Sequence, residues 1–385
     1  MEAGRTASVG IMPVGALGVA FHHHLAAGPK GLSRVAFMSR SSARPERWKA
    51  GAFVAVESLA GRIDLALEGR WLGSLREAAR AEALPDIVLV CTNPDQLFEV
   101  IADYVAVVES EHRAGRLLTG HARLPALVLC ANGIYFQRLR RSFIELLEEA
   151  TLLGRIPDLW PVLMPQIVGR LIRGVTIQTS VRRGEGTEAV YRPGPKGRTQ
   201  LTGGDPITRA WVTGQLAQTG CLFEDAGEVL PTRVEFNKAM VNLASNVLGI
   251  LAAIDADGRM TRLTVSEIGE RVSRERIREL VERVIQVGRG VNVYRPDESV
   301  DLIFDETMAW LASAKTHVPS SLQWLEQQRA VGSLAGGLSP TEKWLLQPLQ
   351  HYARSLGEPG AMEYFEGLER GVAGAIDRAV SKSKG

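Results

Sequence analysis

The sequence predicts an α/β fold, with an N-terminal domain built on a parallel sheet and an all-α C-terminal domain. In the first half, short apolar runs alternate with helical patterns, which is typical of parallel strands joined by crossover helices. After Pro231 almost every segment has helical periodicity. Since 385 residues exceed one ordinary core, we expect two domains, at residues 1–230 and 231–385.

The composition excludes several classes of protein. Hydrophobic residues make up 45% and charged residues 23%, as in ordinary globular proteins. The net charge of +2 is not that of a polybasic nucleic-acid binder. Cys91, Cys130 and Cys221 are widely spaced and odd in number, which argues against a disulfide framework and against a cysteine metal site. We expect no metal and no nucleic-acid partner.

The N-terminal apolar run, residues 9–21, has some features of a signal peptide. Glycines and a proline interrupt it, and a good cleavage site is missing. No apolar stretch reaches the roughly 18 residues of a membrane span. We therefore expect a cytoplasmic protein with no membrane partner. The histidines at 22–24 fall in a predicted helix, where consecutive side chains diverge, so they are not expected to bind a metal.

Besides the helix that contains residues 22–24, the N-terminal domain is predicted to contain seven strands and three helices. The strands are predicted at residues 8–12, 34–38, 53–56, 87–91, 126–130, 175–180 and 189–192. Two helices are predicted at residues 95–109 and 143–153. A third ends near Thr219 and begins with Asp205 as the N-cap and Pro206 in the first helical position. The C-terminal helices are predicted at residues 236–254, 264–286, 305–314, 321–328, 340–356 and 362–380.

A glycine-containing turn follows the first predicted strand. In a Rossmann dinucleotide-binding turn, glycines allow the tight turn, close approach of the pyrophosphate, and packing of the helix on the strand. Gly15 and Gly18 match the second and third glycines, whereas Pro13 occupies the place of the first. Such a turn can also serve packing alone, but the strand before it and the helix after it favour a cofactor site. The residues expected to bind the dinucleotide are Val14, Gly15, Ala16, Leu17 and Gly18.

The end of the second predicted strand bears on the choice between NAD and NADP. NAD enzymes place a carboxylate there to bind the ribose hydroxyls. This chain has Ser39, Arg40, Ser41 and Ser42, which offer one guanidinium and three hydroxyls. That set suits a 2′-phosphate, so we favour NADP, with Arg40 as its ligand. An ordinary solvated loop is the alternative.

Asn93 and Asn132 follow two later strands, at the sheet edge where ligands bind in such folds. Asn132-Gly133 could be only a turn, but its amide could also reach cofactor or substrate.

The sharpest signal lies in the C-terminal domain. Lys238, Asn242 and Asn246 are four residues apart and form one polar stripe on a predicted helix whose other positions are apolar. Asparagine is a poor helix former, so two of them in this segment favour a functional role. A stripe that merely faces solvent is the alternative.

These motifs resemble those of the ketopantoate reductases, NADPH-dependent enzymes that reduce 2-dehydropantoate to pantoate. The resemblance covers the Gly-Ala-Leu-Gly turn at 15–18, Asn132-Gly133, and the Lys-x-x-x-Asn-x-x-x-Asn pattern at 238–246. It continues in a Ser-x-Leu-Gln sequence at 320–323 and in Thr341-Glu342.

The resemblance implies a role for each matching position. Lys238 would be the general acid that protonates the ketone oxygen. The side chains of Asn132, Asn242, Ser320 and Glu342 would orient the substrate, and Asn246 would line the same site. The protein would then act in pantothenate biosynthesis on a small 2-oxo acid.

Departures from the family pattern leave the substrate open. Pro13 replaces a glycine, and Asn93 stands where the family often has a lysine for the cofactor phosphate. Asp257 replaces an asparagine and would repel a substrate carboxylate, and residues 63–83 and 144–173 include extra sequence. The alternatives are another dehydrogenase of this architecture, such as an opine-forming one, and a non-catalytic NADP-binding protein. A homodimer also stays open, because apolar helices can pack within one chain or between copies.

Overall fold

The computed structural model describes residues 6–28, 31–43, 51–184 and 186–384. The chain divides into two compact units. The first, here the sheet unit, comprises Met1–Ala131 and Phe136–Pro231. The second, here the helical unit, comprises Asn132–Tyr135 and Thr232–Gly385.

Strands occur in the sheet unit. They are β1 (Val9–Met12), β2 (Val35–Phe37), β3 (Phe53–Ser58), β4 (Gly61–Ala66), β5 (Ile87–Val90), β6 (Ala126–Leu129), β7 (Leu171–Thr176), β8 (Ser180–Arg183), β9 (Val190–Pro193), β10 (Thr199–Thr202) and β11 (Phe223–Asp225). Its helices are α1 (Ala16–Ala27), α2 (Leu75–Arg80), α3 (Leu97–Arg113), α4 (Phe136–Leu152), α5 (Leu163–Val168) and α6 (Pro206–Ala217).

The main sheet has seven strands in the order β11-β10-β7-β6-β5-β1-β2. The strands from β2 to β7 in this order pair in parallel, and β10 is antiparallel to β7. Every residue of β1, β5, β6 and β7 is buried, as expected for parallel strands covered on both faces. The predicted parallel sheet is therefore confirmed.

A second, four-stranded sheet has the order β4-β3-β9-β8, and the sequence pattern did not separate it from the first. The strand predicted at 53–56 lies here as β3, paired with β4 and β9. The strand predicted at 175–180 is in fact two, because β7 ends at Thr176 and β8 begins at Ser180. This sheet packs on α1, which explains why that helix is apolar around most of its circumference.

The helical unit contains α7 (Pro231–Asn242), α8 (Leu248–Ala253), α9 (Val265–Arg271), α10 (Arg274–Gly290), α11 (Val300–Ser313), α12 (Ser320–Ala330), α13 (Pro340–Leu356) and α14 (Pro359–Lys384). A π-helical turn, Leu243–Val247, joins α7 to α8. Their apolar faces share one core, so the predicted all-α character of this part is confirmed.

Two local signals explain where helices begin and end. Asp205 caps α6 by accepting a hydrogen bond from the Thr208 N–H at 2.7 Å, as predicted. The prediction of a single helix at 264–286 is wrong, because the helix is interrupted between α9 and α10. There the Ser273 hydroxyl accepts from the Arg276 N–H at 3.2 Å and starts a new helix. Among the described residues, no helix combines the length and apolarity needed to cross a bilayer.

Candidate functional site

The β1–α1 turn leaves the start of α1 available to an anion. Gly15 is the N-cap, no side chain caps the helix, and its first turn carries no acidic residue. A Cβ on Gly15 would meet no atom within 4 Å, so open space lies in front of the turn. The first amides of a helix lack partners within the helix and lie at the positive end of its dipole. This geometry fits a dinucleotide pyrophosphate.

Gly18 has a different role from Gly15, because a Cβ there would lie 2.4 Å from the Pro13 carbonyl oxygen. The helix can therefore pack this closely on the β1 turn only with glycine at position 18. Pro13, which replaces the first glycine of the motif, supplies that contact.

We expect Gly18→Ala and Gly15→Ala to have separable effects. The first should destabilise the fold by about 1–3 kcal/mol, because the backbone must move to accept the methyl group. The second should leave stability unchanged, because φ is −150° at Gly15, yet weaken NADPH binding by obstructing the anion. Thermal unfolding without ligand and fluorescence titration with NADPH would measure both. Unchanged NADPH affinity in Gly15→Ala would exclude a phosphate at this turn.

Arg40 lies three residues beyond the end of β2 and is partly exposed. The preceding residue, Ser39, is buried and donates its N–H to the Gly73 carbonyl at 2.8 Å. The Ser41 hydroxyl accepts from the Ala43 N–H at 3.1 Å, which orders the following turn. The backbone that carries Arg40 is therefore held on both sides.

Asn93 is exposed just after β5. The Gln96 side chain accepts from the Asn93 N–H at 3.4 Å and from the Thr92 hydroxyl. These bonds hold the backbone of the loop, in which Asn93 is exposed.

Asn132 belongs to the helical unit with the three residues that follow it. Ile134 is buried in the helical core and donates its N–H to the Trp344 carbonyl at 3.1 Å. The Tyr135 N–H donates to the buried Glu235 carboxylate at 3.3 Å. Gly133 has a φ of 125°, a conformation that favours glycine. Asn132 itself is exposed, so its amide is held on an anchored segment and stays accessible.

Lys238 lies on α7 and is mostly buried. Within the described part of the chain it forms no ion pair, and burial lowers the pKa of its ammonium group to about 8. Its Nζ lies 5.9 Å from the centre of the Trp310 ring. A lysine with this pKa can give up and take back a proton near neutral pH.

Asn242, one turn after Lys238, is only 6% exposed, and its Nδ2 has no hydrogen-bond partner among the described residues. A buried amide donor without a partner costs about 1–3 kcal/mol. The site therefore offers an unused donor, which suits a ligand carrying a carbonyl or carboxylate oxygen.

Asn246 is also buried, but both the oxygen and the nitrogen of its amide already have hydrogen-bond partners. Its Oδ1 accepts from the Ser320 hydroxyl at 3.2 Å and from the Ser321 N–H at 3.1 Å, and its Nδ2 donates to Ser245 at 3.4 Å. Pro319, the N-cap of α12, provides no side-chain cap. Asn246 supplies the missing acceptor and so positions Ser320.

Glu342 is 1% exposed and caps α13. One carboxylate oxygen accepts from the Ser321 hydroxyl, and the other accepts from the Ser339 hydroxyl and N–H. Thus Asn246, Ser320, Ser321 and Glu342 form one hydrogen-bonded group within the helical unit.

The π-helical turn brings Asn246 closer to the helix face that carries Lys238 and Asn242. In an α-helix, positions four apart drift by about 40°, so eight residues drift by about 80°. A π-turn contains more residues per turn, so four residues advance less than a full turn. Asn246 lies in this segment, which turns it back towards the line of Lys238. The sequence carries no signal for the extra residue.

Two residues beside Lys238 were not predicted from the sequence. Trp310, on α11, contacts the ammonium with its ring, as noted above. Burial lowers the pKa of the His317 imidazole, and the nearby charge of Lys238 lowers it further. Asp257, by contrast, lies in an exposed turn after α8, where the adjacent Gly258 packs against the Arg378 carbonyl of α14.

The sequence matches no protein-family model, and no curated protein matches it. Solved structures do match over nearly the whole chain. D-mandelate dehydrogenase in complex with NADH and anilino(oxo)acetate is 15% identical, with a TM-score of 0.65, over 97% of this chain and 99% of that one.

Two 2-dehydropantoate 2-reductases match in the same way. The Geobacter metallireducens structure is 19% identical, covers 94% of this chain and 99% of its own, and has a TM-score of 0.56. The Methylococcus capsulatus structure is 17% identical, covers 98% of both chains, and has a TM-score of 0.57. The predicted resemblance is confirmed at the level of the fold: the chain has the fold of the ketopantoate reductases and of D-mandelate dehydrogenase.

Proposed function

We propose that the protein is an NADP-dependent oxidoreductase that reduces a 2-oxo acid to a 2-hydroxy acid. The observation that carries the proposal is the stripe on α7, where a lysine with a lowered pKa lies one turn from an unused buried amide. The two kinds of structural neighbour, named for 2-dehydropantoate and D-mandelate, act on molecules with a carboxylate next to the reacting carbon. Ketopantoate and its close relatives are therefore the first substrates to test.

In this proposal each candidate site residue of the helical unit has a defined role. Lys238 donates a proton to the ketone oxygen and recovers it from solvent. Asn242 donates from Nδ2 to a substrate oxygen, which satisfies its unpaired amide. Asn132 and Ser320 bind the carboxylate, and Asn246 holds Ser320 in place. Glu342 secures the same group through Ser321.

The sheet unit would hold the cofactor, which supplies the hydride when bound. The amides at the start of α1, residues 14–18, would bind the pyrophosphate, with Asn93 near the same sheet edge. Arg40 would bind the 2′-phosphate, since no carboxylate occupies residues 39–42. The neighbour solved with NADH supports a nicotinamide cofactor, and the preference for NADP rests on Arg40.

The test is steady-state oxidation of NADPH and NADH by the purified protein with ketopantoate and other 2-oxo acids. We expect turnover with NADPH, and we expect Arg40→Ala to raise the KM for NADPH about tenfold or more while the KM for NADH changes little. If Arg40→Ala raised the KM equally for NADPH and NADH, Arg40 would be excluded as the ligand of the 2′-phosphate. Binding of NADPH without turnover of any acid would favour a non-catalytic protein.

A further inference from the structure

We propose that the sheet unit has a second anion-binding site, a cavity lined by α2, α3, α4 and the segment after α4, that takes a small organic phosphate monoester. The cavity has a volume of about 440 Å³ and uses none of the residues assigned above to the cofactor or the substrate. The inference is therefore independent of the proposed function. It rests on the position of the cavity, the arginines that line it, and the apolar surface inside it.

The cavity lies away from the edge of the sheet that carries the β1–α1 turn. Helix α3 begins just after the loop that contains Asn93, and the residues of α3 that line the cavity extend from Ala102 to Arg113. Glu109, in the second half of the helix, is about 18 Å along the helix axis from Leu97. A crossover helix runs back across the sheet from the carboxyl end of its strand. A ligand in this cavity would therefore leave the turn at residues 14–18 accessible.

Four arginines from separate elements line the cavity: Arg76, Arg80, Arg113 and Arg155. Two glutamates line it as well, so the lining carries a net charge of +2. Arg80 forms no ion pair within the described part of the chain. The Arg76 guanidinium forms no hydrogen bond there either, although its Nε lies 3.4 Å from the buried Asp103 carboxylate. These unused N–H groups suit a phosphate, which arginine can bind through two parallel hydrogen bonds.

The other two arginines are held beside the cavity by one carboxylate. Glu109 accepts a hydrogen bond from the Arg155 Nη1 at 3.1 Å, and its second oxygen lies 3.8 Å from the Arg113 Nη2. The Arg155 side chain is nevertheless 46% exposed, and that of Arg113 is 73% exposed. Ion pairs this exposed contribute little to stability, so both guanidinium groups can turn to a ligand at little cost.

The apolar part of the lining indicates an organic group rather than a bare ion. Ala102, Val105, Ala106 and Leu146 supply it. Pockets for small organic ligands usually have volumes of about 300–1,000 Å³, a range that includes this cavity. A phosphate monoester carries a charge of about −1.5 to −2 at pH 7 and has three acceptor oxygens. Its charge thus matches the lining, and its organic group has an apolar surface to contact.

The test is isothermal titration calorimetry with phenyl phosphate at low ionic strength, compared with inorganic phosphate and benzyl alcohol. The charge variant is Arg80→Gln/Arg113→Gln. Its matched control is Arg192→Gln/Arg295→Gln, which removes the same charge from side chains that are 52% and 78% exposed elsewhere. Ala102→Phe fills the cavity from an exposed helix position without a change in charge. Melting temperatures show whether each variant is folded.

We expect phenyl phosphate to bind about tenfold or more tightly than either inorganic phosphate or benzyl alcohol. Arg80→Gln/Arg113→Gln should weaken this binding about tenfold or more, because charge-assisted hydrogen bonds are lost. Ala102→Phe should also weaken it about tenfold, by occupying the space of the organic group. The control double variant should change it less than about twofold. Hydrogen exchange should slow in α2 and in the second half of α3 on binding, and stay the same at residues 14–18.

Several outcomes would overturn the inference. Wild-type affinity in Arg80→Gln/Arg113→Gln, or in Ala102→Phe, would place phenyl phosphate outside this cavity. Slower exchange at residues 14–18 instead of α2 and α3 would assign it to the turn proposed for the pyrophosphate. Equal affinity for inorganic phosphate would exclude an organic group, and no binding of phenyl phosphate would exclude the site. None of these results depends on NADPH oxidation, so the site and the proposed function can fail separately.

Discussion

Lys238→Met is expected to abolish 2-oxo acid reduction and at the same time to stabilise the protein at neutral pH. Loss of a positioned general acid lowers kcat by about 10²–10⁴-fold. The gain in stability follows from burial, which lowers the pKa of Lys238 to about 8 because the charged form is disfavoured in the fold. Methionine has a similar length and no charge. A residue kept for structure would show the opposite change in stability.

The lowered pKa of Lys238 also determines how the free energy of unfolding changes with pH. Between about pH 8 and the ordinary lysine value of 10.5, the unfolded chain binds a proton that the folded chain does not. The free energy of unfolding of the wild type therefore rises with pH in this window. The advantage of Lys238→Met should be largest below pH 8 and should shrink as pH rises above it.

The activity of the wild type should fall as the same group loses its proton. We expect kcat/KM for reduction to decrease tenfold per pH unit above about pH 8, and oxidation of the 2-hydroxy acid to lose activity below it. Denaturant unfolding and initial rates across the range from pH 6 to pH 10 measure both. Lys238→Arg is the control that retains the charge and, with its high pKa, releases no proton at these pH values. A pH profile without this step, or full activity in Lys238→Met, would exclude Lys238 as the acid.

The sequence predicted that Lys238, Asn242 and Asn246 lie on one helical segment, because the signal for a helix is local. Residues four apart share a helix face whatever the rest of the chain does, and polar residues stand out in an apolar helix. The Asp205 cap and the start of α13 at Pro340 follow from equally local chemistry. Parallel strands were found for the same reason, since a buried strand is a continuous apolar run.

The sequence could not predict features that depend on distant partners. The pattern places Asn246 on the helix face of Lys238, and it gives no sign that the Asn246 side chain bonds with residues more than 70 positions away. Glu342 likewise caps its own helix and bonds with Ser321. Strand β3 has an ordinary strand pattern, and only pairing with β4 and β9 assigns it to the second sheet. Local periodicity identifies an element but not its neighbours.

Arg173→Met is expected to cause a large loss of stability in the sheet unit. Arg173 lies in the middle of β7 and is 2% exposed. Its Nη1 donates to the carbonyls of Leu129 and Gly174, both at 2.7 Å, and its Nη2 donates to the Ala131 carbonyl at 2.9 Å. Methionine leaves these three buried acceptors without this donor. At about 1 kcal/mol or more for each, we expect a loss of about 3 kcal/mol or more.

Arg192→Met provides the matched control. This arginine lies on β9 with 52% of its side chain exposed and pairs with Glu57 at 2.7 Å. Exposed pairs contribute about 0–1 kcal/mol, so the control should unfold near the wild-type denaturant concentration. A difference between the two variants of less than about 1 kcal/mol would mean that water replaces the guanidinium at the end of β6.

The same arginine, Arg173, connects stability to the proposed function, because Ala131 is the residue immediately before Asn132. Arg173→Lys keeps a cation but cannot reproduce the planar fork that reaches Leu129 and Ala131 together. We expect this variant to fold and to raise the KM for the 2-oxo acid more than it lowers kcat, because Asn132, the proposed carboxylate ligand, is then held less firmly. A purely structural arginine would change the melting temperature and leave the ratio of these two constants unaltered.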